Sequence, residues 1–250
     1  MKKEQIVINT IVFREDIEKG KSQVDLLKSI KDYGVKNIEI RREYLKNFDK
    51  ELTMIRDFAK EYSVKLFYSV PEMLFVNGKL NKDGIKRYNE EAEKLGASLM
   101  KLVIGQFEHI GEDDIQFLSK ILIDKEKIFT VENDQTEMCG KVDVIEKFLN
   151  QCWINNLPIY CTFDIGNWFW VKEDPIKNFD ILKKYVKYIH IKDVKFENEI
   201  PKAVHLGNGI INFLEILKHL PDNIPVAIEY PCGTNPFKLI DEALSVLVDE

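Results

Sequence analysis

The chain contains four short apolar stretches that each end in a side chain able to bind a metal ion: Ile128-Phe129-Thr130-Val131-Glu132, Ile159-Tyr160-Cys161-Thr162-Phe163-Asp164, Tyr188-Ile189-His190 and Val226-Ala227-Ile228-Glu229. Their last residues are separated by 32, 26 and 39 residues, each about the length of one strand and one helix. In a parallel β/α barrel the C-terminal ends of neighbouring strands lie side by side, at the face where active sites are found. The spacing therefore predicts three carboxylates and one imidazole at one face, a mixed oxygen and nitrogen site for a divalent cation.

Short stretches rich in Val, Ile, Phe or Tyr alternate with amphipathic helical patterns along the whole chain. The strand candidates are residues 5–13, 36–41, 64–70, 98–104, 127–132, 158–164, 187–192 and 224–230. Apolar residues at helical spacing occupy residues 24–33, 52–62, 88–95, 142–154, 179–185, 213–220 and 237–247. Eight strand candidates, seven of them followed by a helical pattern, predict an α/β fold, a closed (β/α)8 TIM barrel formed by a single domain of residues 1–250.

An open doubly wound sheet is the alternative α/β fold, and it normally carries a glycine-rich phosphate loop after an early strand. Neither that loop nor a Walker A motif is present in the sequence. The longest irregular segments are residues 71–80, 133–141 and 193–209. All three follow strand candidates, so we predict functional loops at the catalytic face.

Composition and charge narrow the function classes. The net charge of −6 argues against a nucleic-acid partner, and no apolar run reaches the roughly 20 residues that span a bilayer. The N-terminus lacks the apolar region and cleavage site of a signal peptide, and the four cysteines show no CxxC pairing. We therefore expect a cytoplasmic protein, a possible homo-oligomer, that acts on a small molecule and has no nucleic-acid or membrane partner.

Each strand-end residue also has an ordinary structural interpretation. Glu132 and Glu229 could form salt bridges with lysines. Asp164 could cap a helix N-terminus, and His190 could be a hydrogen-bonded core residue. A buried charge is costly unless it is paired or bound to a metal. Four such residues on successive units favour the metal site over coincidence.

In this order the residues resemble the xylose-isomerase-like barrels, the group of the sugar phosphate isomerases/epimerases and the AP endonuclease family 2 proteins. The motifs that carry the resemblance are Val131-Glu132-Asn133, Phe163-Asp164-Ile165-Gly166-Asn167, His190-Ile191-Lys192-Asp193, Leu206-Gly207-Asn208-Gly209 and Ile228-Glu229-Tyr230. The segment from Val35 to Arg41 is similar to the second-strand segment of many members. The resemblance covers essentially the whole chain, and its motifs identify the superfamily rather than a substrate.

The resemblance implies one divalent cation, typically manganese, magnesium, cobalt or zinc, bound by Glu132, Asp164, His190 and Glu229. It also implies an isomerase or epimerase of a small sugar or polyhydroxy carbonyl compound. Glu132 and Glu229 would be the catalytic residues, exchanging a proton on the carbon beside a carbonyl through a metal-stabilised enediolate. The alternative is a metal-dependent dehydratase of a keto-inositol or dehydroshikimate-like substrate, which uses the same metal and base.

The chain departs from the family pattern at two places. Members with sugar epimerase activity usually have a histidine three residues after the aspartate, whereas here Asn167 can bind a hydroxyl but is no base at neutral pH. Many members also have an arginine shortly after the histidine, a role that Lys192, Lys195 or Lys202 would have to take. The substrate is therefore expected to differ from a simple ketohexose.

Two other function classes are less well supported. The AP endonucleases of this superfamily use a three-zinc cluster built from several histidines, and this acidic chain has only four histidines. His205 and His109 are the candidates for additional imidazoles in the site. A non-catalytic sugar-binding barrel is the third class, and retention of all four potential ligands argues against it.

Substrate contacts are predicted around the metal. The predicted polar contacts are Glu39, Arg41, Asn133, Asn167, Lys192 and His205. The predicted apolar walls are Trp168, Phe169, Trp170 and Phe107, because small-molecule pockets combine a mostly apolar lining with a few placed polar groups. Packing between a helix and the barrel is the alternative for Trp168 and Trp170.

Overall fold

The chain forms a closed barrel of parallel strands, seen in a computed structural model that describes residues 1–123, 127–221 and 223–248. The strands are β1 (Ile6–Asn9), β2 (Asn37–Arg41), β3 (Lys65–Val76), β4 (Lys79–Leu80), β5 (Leu99–Gly105), β6 (Ile128–Glu132), β7 (Ile159–Asp164), β8 (Val186–Ile191), β9 (Asp193–Glu197), β10 (Ile200–Val204) and β11 (Val226–Ile228). The sheet order is β2-β1-β11-β8-β7-β6-β5-β3, and β2 pairs with β3 to close the barrel. The predicted (β/α)8 barrel is confirmed.

Helices connect the barrel strands. They are α1 (Arg14–Glu18), α2 (Gln23–Tyr33), α3 (Phe48–Tyr62), α4 (Lys82–Leu95), α5 (Glu112–Ile121), α6 (Val142–Ile154), α7 (Pro175–Leu182), α8 (Phe213–Leu217) and α9 (Pro236–Leu247). Gly34 and Gly96 end α2 and α4 in the left-handed region, with φ of 82° and 72°, where glycine has no Cβ penalty. Within the part of the chain that the structure describes, no helix has the length and apolar character needed to span a bilayer.

Two layers of side chains fill the barrel. The lower layer, here called the barrel plug, is an apolar cluster of Val7, Phe67, Leu99, Tyr188 and Ala227 near the N-terminal ends of the strands. Residues two positions apart on a strand point to the same face. The next inward side chains toward the C-terminal ends are therefore the ones that form the floor of the active face.

The structure corrects several predicted boundaries. The first strand stops at Asn9 rather than residue 13, because the Asn9 side chain accepts a hydrogen bond from Ile11 N (2.9 Å) and starts a 3-10 turn. The predicted loop 71–80 is largely an antiparallel hairpin of β3 and β4. The predicted loop 193–209 contains the hairpin of β9 and β10, whereas 133–141 has neither helix nor strand, as predicted.

Candidate metal centre

Four potential ligands converge at the C-terminal mouth of the barrel. Glu132 and Asp164 are the last residues of β6 and β7, His190 is in β8, and Glu229 directly follows β11. These four strands are consecutive in the sheet, and Asp164 is in register with His190. One ligand atom from each side chain lies within 4.8 Å of the other three. Residues up to 97 positions apart in sequence, from Glu132 to Glu229, thus meet at one point.

The donor set fits a divalent cation. Metal–oxygen and metal–nitrogen bonds of about 2.0–2.2 Å place two ligands of one ion within about 4.4 Å, so shifts of a few tenths of an ångström would close the site. Asp164 Oδ2 and Glu229 Oε2 are buried and accept no hydrogen bond from the described residues, but each forms an ion pair with Lys192 Nζ. Buried carboxylate oxygens that face a cation are suited to bind a metal ion.

Asp164 has two different tasks for its two oxygens. Its Oδ1 accepts hydrogen bonds from the backbone N–H groups of Gly166 (2.8 Å) and Asn167 (2.9 Å). The turn after β7 therefore fixes the carboxylate and leaves Oδ2 directed into the site. Asp164 therefore closes the turn that precedes the 3-10 helix Asn167–Phe169, whose N-cap is Gly166, and it does not itself cap a helix.

His190 is held between two glutamates. Its Nδ1 lies 2.7 Å from Glu132 Oε1, and its Nε2 lies 3.0 Å from Glu39 Oε2. Glu39 also accepts hydrogen bonds from Asn9 Nδ2 (2.6 Å) and Tyr188 OH (3.1 Å). Glu39 is fully buried behind the imidazole, and its oxygens are occupied, so it orients His190 instead of making the predicted substrate contact.

Lys192 and Arg41 form ion pairs with two of the potential ligands. Lys192 Nζ lies 2.7 Å from Asp164 Oδ2 and 2.6 Å from Glu229 Oε2. An Arg41 guanidinium nitrogen lies 2.8 Å from Glu229 Oε1, while its Nε contacts Glu43 at 2.5 Å. The salt-bridge interpretation of Glu229 is therefore realised alongside the ligand geometry.

Lys101 is a buried charged residue at the site that the sequence interpretation missed. It lies on β5 with only 2% exposure, and its Nζ forms an ion pair with Glu132 Oε2. The signal was an isolated charge inside the apolar run Leu99-Met100-Lys101-Leu102-Val103. A buried charge of this kind is costly unless it is paired, as is also the case for Glu132.

The two glutamates are held in the ionised form. Burial opposes ionisation of Glu132, but the adjacent Lys101 ammonium outweighs burial and holds the pKa of Glu132 well below its usual range. Burial likewise opposes ionisation of Glu229, and the Lys192 ammonium lowers its pKa to about 2. Both carboxylates are therefore available as bases at neutral pH.

Asp164 and His190 are shifted in the opposite direction. Burial raises the pKa of Asp164 to about 7, although Lys192 partly counteracts it. Burial disfavours the charged form of His190, but Glu39 and Glu132 outweigh it and raise its pKa to about 10. The two glutamates thus favour the imidazolium form of His190, and the ring must lose this proton to bind a metal.

A cavity of about 550 Å³ opens onto this cluster. Its polar lining includes Arg41, Lys101, Asn167 and Lys192 beside Glu132 and Glu229. Its apolar lining comes from residues that were not predicted, namely Ile11, Pro71, Met73, Val103, Ala203 and Pro231. A second cavity of about 660 Å³ lies at the opposite end of the barrel, against the starts of strands at Lys65, Ile128 and Lys187, away from this chemistry.

The aromatic wall predicted for the pocket is wrong. Trp168 is fully buried and packs on Phe163 with ring centroids 5.3 Å apart, because the turn after Asp164 directs it back over the end of β7. Phe107 packs on Phe148 at 5.1 Å, and neither it nor Phe169 or Trp170 lines the cavity. The helix–barrel packing alternative describes Trp168 correctly.

Asn133 and Asn167 support the turn at Asp164. Asn133 is fully buried and bridges to the neighbouring strand: its Nδ2 donates to Asp164 O (2.9 Å) and its Oδ1 accepts from Asp164 N (2.8 Å). Asn133 is therefore a structural residue and not the predicted substrate contact. Asn167 lines the cavity, but its Nδ2 donates to Asn133 O (2.8 Å) and its Oδ1 accepts from Lys192 (3.2 Å).

The remaining histidines lie outside the cluster. His205 is half-buried beside the Tyr230 ring, 5.5 Å away, and it lines a separate pocket with Lys195 and Asn208. The prediction that His205 contacts the substrate is therefore wrong, because His205 does not line the cavity at the cluster. His109 is exposed near Gly78, and His219 is exposed after α8. Among the described residues, the only group arranged for metal binding contains one histidine, so a histidine-rich three-zinc cluster is not assembled there.

The chain belongs to the xylose isomerase-like TIM barrel family, whose model matches residues 27–250. No curated protein matches the sequence. Among solved structures the chain is similar to the probable 3-DHS dehydratase AsbF of Bacillus anthracis, with 14% identity, 100% of both chains covered and a TM-score of 0.69. The resemblance inferred from the sequence motifs is therefore confirmed at the level of the family.

Two epimerases are also similar in structure. One is 3-keto-D-glucoside 4-epimerase YcjR of E. coli, with 12% identity, 97% of this chain and 98% of that chain covered, and a TM-score of 0.69. The other is D-psicose 3-epimerase of Clostridium cellulolyticum, with 12% identity, 98% of this chain and 100% of that chain covered, and a TM-score of 0.68. At these identities the likeness shows the fold alone.

Proposed function

We propose that the protein is a divalent-metal-dependent isomerase or epimerase of a small sugar or polyhydroxy carbonyl compound. The observation that carries the proposal is the convergence of Glu132, Asp164, His190 and Glu229 within 4.8 Å of one another. The adjoining cavity of about 550 Å³ lies within the range of about 300–1,000 Å³ typical of small-molecule sites. Charged groups at the C-terminal mouth of a barrel are the usual arrangement of catalytic residues in this fold.

The chain supplies two bases for the proposed reaction. A cation held by the four ligands would polarise the carbonyl oxygen of the substrate and stabilise the negative charge that forms beside it. Glu132 and Glu229 lie 2.7 and 3.9 Å from His190 Nδ1, so they approach the same substrate position from two strands. Either ionised carboxylate can remove a proton from the carbon beside the carbonyl.

The fate of that proton separates isomerisation from epimerisation. In isomerisation the same carboxylate returns the proton to the neighbouring carbon. In epimerisation a proton is delivered from the opposite face. Because both carboxylates are ionised before the reaction, the second one must first take up a proton, from water or from the Lys101 or Lys192 ammonium beside it. Lys101 lines the cavity beside Glu132, and its ammonium can donate a hydrogen bond to a substrate oxygen in either case.

A dehydratase is the second candidate, and the buried lysines favour it. Loss of water breaks a carbon–oxygen bond, and the departing hydroxyl takes up a proton. Lys101 and Lys192 place two ammonium groups beside the proposed bases, where they can donate that proton. Asn167 stands where the sugar epimerases that the chain resembles usually have histidine.

A panel of keto-sugars, keto-inositols and dehydroshikimate in deuterated water with Mn²⁺ tests the proposal. An isomerase or epimerase is expected to yield an isomer of the substrate, with deuterium on the carbon that receives the proton to the extent that the abstracted proton exchanges with solvent before it is returned. A dehydratase is expected to yield a product lighter by one water. Mass spectrometry and NMR distinguish the two outcomes. Turnover that continues unchanged after chelation of all divalent metal would contradict the proposal.

A further inference from the structure

We infer that Lys192 and the divalent cation compete for the same two carboxylates, so that the metal binds by displacing the Lys192 ammonium from Asp164 and Glu229. This inference rests on the proposed metal-dependent function. It assigns to Lys192 the role of a positioning residue that holds the ligands together while no metal is bound. It also assigns to this residue the control of metal affinity.

The distances leave room for one cation between the two carboxylates. Lys192 Nζ lies 2.7 Å from Asp164 Oδ2 and 2.6 Å from Glu229 Oε2. A metal bound to the same two oxygens would lie about 2.0–2.2 Å from each, in the space that the ammonium occupies. An ammonium group and a metal ion in contact with the same two oxygens would repel each other strongly in a buried site. The ammonium therefore leaves when the metal enters.

The position of Lys192 is built into the fold. Its side chain lies across the turn at Gly166, where an added methyl group would overlap Lys192 Cγ and lie 2.9 Å from Cδ. Only 6% of the residue is exposed, and Asn167 Oδ1 accepts a hydrogen bond from Nζ at 3.2 Å. Asn167 is not one of the four ligands, so it can keep this hydrogen bond when the two carboxylates turn to the metal.

The ion pairs of Lys192 stabilise the protein while no metal is bound. Asp164 and Glu229 are buried, and without a counter-ion their charges would destabilise the mouth of the barrel. The ammonium supplies that counter-ion from the chain itself. The same contacts must be broken before the metal binds, so they weaken the affinity for every divalent cation.

Calorimetric titration with Mn²⁺ tests the inference in the wild type and in Lys192→Met, with Lys183→Met as the matched control. Lys183 is half-exposed after α7 and pairs with Asp180. Loss of a hydrogen bond to a charged group typically changes an equilibrium constant by about tenfold to a hundredfold, so Lys192→Met is expected to bind Mn²⁺ at least about tenfold more tightly. Lys183→Met is expected to match the wild type. Metal-free Lys192→Met should also melt at a lower temperature than the metal-free wild type.

Gly166→Ala is the second variant, and it keeps the lysine charge while displacing the side chain. Gly166 has φ of −83°, which alanine adopts freely, so the substitution acts through the side chains that the added methyl group meets. This methyl group overlaps the Lys192 side chain and more weakly approaches Val194 Cγ2, at 3.3 Å. The substitution is expected to tighten Mn²⁺ binding in the same direction. Mn²⁺ affinities of Lys192→Met and Gly166→Ala equal to or weaker than that of the wild type would overturn the inference and leave the proposed function standing. Absence of Mn²⁺ binding in all of these proteins would overturn both.

Discussion

The barrel interior has two layers that differ sharply in chemistry although the same strands build them. The barrel plug is apolar apart from the Tyr188 hydroxyl, and none of its five side chains is more than 1% exposed. Two residues after each of these five residues, the side chain is polar or charged. The pairs are Val7 and Asn9, Phe67 and Ser69, Leu99 and Lys101, Tyr188 and His190, and Ala227 and Glu229. A step of two residues therefore leads from a layer that stabilises the fold to a layer that performs chemistry.

The two layers have opposite energetic roles. Burial of the plug removes apolar surface from water and stabilises the barrel. Burial of Lys101, His190 and Glu229 removes charge from water, which is unfavourable unless the charges are paired. Substitutions in the plug are therefore expected to change stability, whereas substitutions in the charged layer are expected to change metal binding and turnover.

The largest expected effect is on turnover. Glu132→Gln and Glu229→Gln each remove a proposed base, which typically contributes about 10²- to 10⁴-fold to the rate, and each also disturbs metal binding. Asp164→Asn is expected to act mainly through metal affinity and to be partly rescued by excess cation. Steady-state rates at saturating Mn²⁺ provide the measurement, with Glu137→Gln, 72% exposed beside Lys141, as the control. A Glu132→Gln enzyme with the wild-type rate would end the acid–base proposal.

A substitution in the barrel plug should lower stability and leave metal binding unchanged. Leu99→Ala is expected to lower the free energy of unfolding by about 2–5 kcal/mol, because it removes a buried side chain and leaves a cavity. Urea denaturation measures this loss, and Leu214→Ala, at a residue 47% exposed on α8, is the control with little expected change. Mn²⁺ affinity of the folded Leu99→Ala protein should stay at the wild-type value. A large loss of affinity would show that the two layers are not separable.

The sequence predicted the four potential ligands because each ends an apolar strand, and strand ends in a barrel share one face. Lys101 escaped prediction because β5 continues to Gly105, so this lysine lies inside the strand and not at its end. Its place beside Glu132 depends on the pairing of β5 with β6, which local sequence does not show.

Other misses have tertiary causes. Trp168 follows Asp164 closely in sequence, but the direction of the intervening turn depends on packing against Phe163. The turn between β9 and β10 uses Asn198 and Glu199 with φ of 51° and 64°. Without the glycine that usually marks such a turn, the hairpin had no strong local signal.

The pH dependence should separate metal binding from stability. Burial lowers the pKa of His190, but the neighbouring Glu39 and Glu132 outweigh burial and raise this pKa from 6.5 to about 10. The charge of His190 therefore stabilises the metal-free fold fully below pH 6.5 and ceases to do so as the pH rises to about 10. Burial raises the pKa of Asp164 from 3.8 to about 7, so ionising it destabilises the fold over that range. Glu229 acts in the opposite sense only below pH 4.5.

Metal binding needs the ionised Asp164 and the neutral His190. Mn²⁺ affinity should therefore rise with pH by about tenfold per unit for each proton released, while the melting temperature of the chelated protein falls. Calorimetry and thermal melts between pH 6 and 9 measure both trends. An affinity that is constant across this range would contradict the assignment of His190 as a ligand.

The smallest expected effect is that of a substitution at Trp168, which was wrongly predicted to line the pocket. Trp168→Phe is expected to cost about 0.5–3 kcal/mol of stability, because it reduces the volume of a buried side chain in the core. The indole nitrogen has no hydrogen-bond partner among the described residues, so no hydrogen bond within them is lost. KM for the true substrate should not change. A higher KM at unchanged stability would return Trp168 to the substrate pocket.

The most direct test of the central claim is the metal content of the protein at equilibrium. Equilibrium dialysis against Mn²⁺, followed by metal analysis, is expected to give one ion per chain for the wild type. The double variant Asp164→Ala, His190→Ala is expected to bind none, while circular dichroism shows that it remains folded. Wild-type protein that binds no Mn²⁺, or a folded double variant that binds as much as the wild type, would contradict the assignment of these side chains as a metal centre.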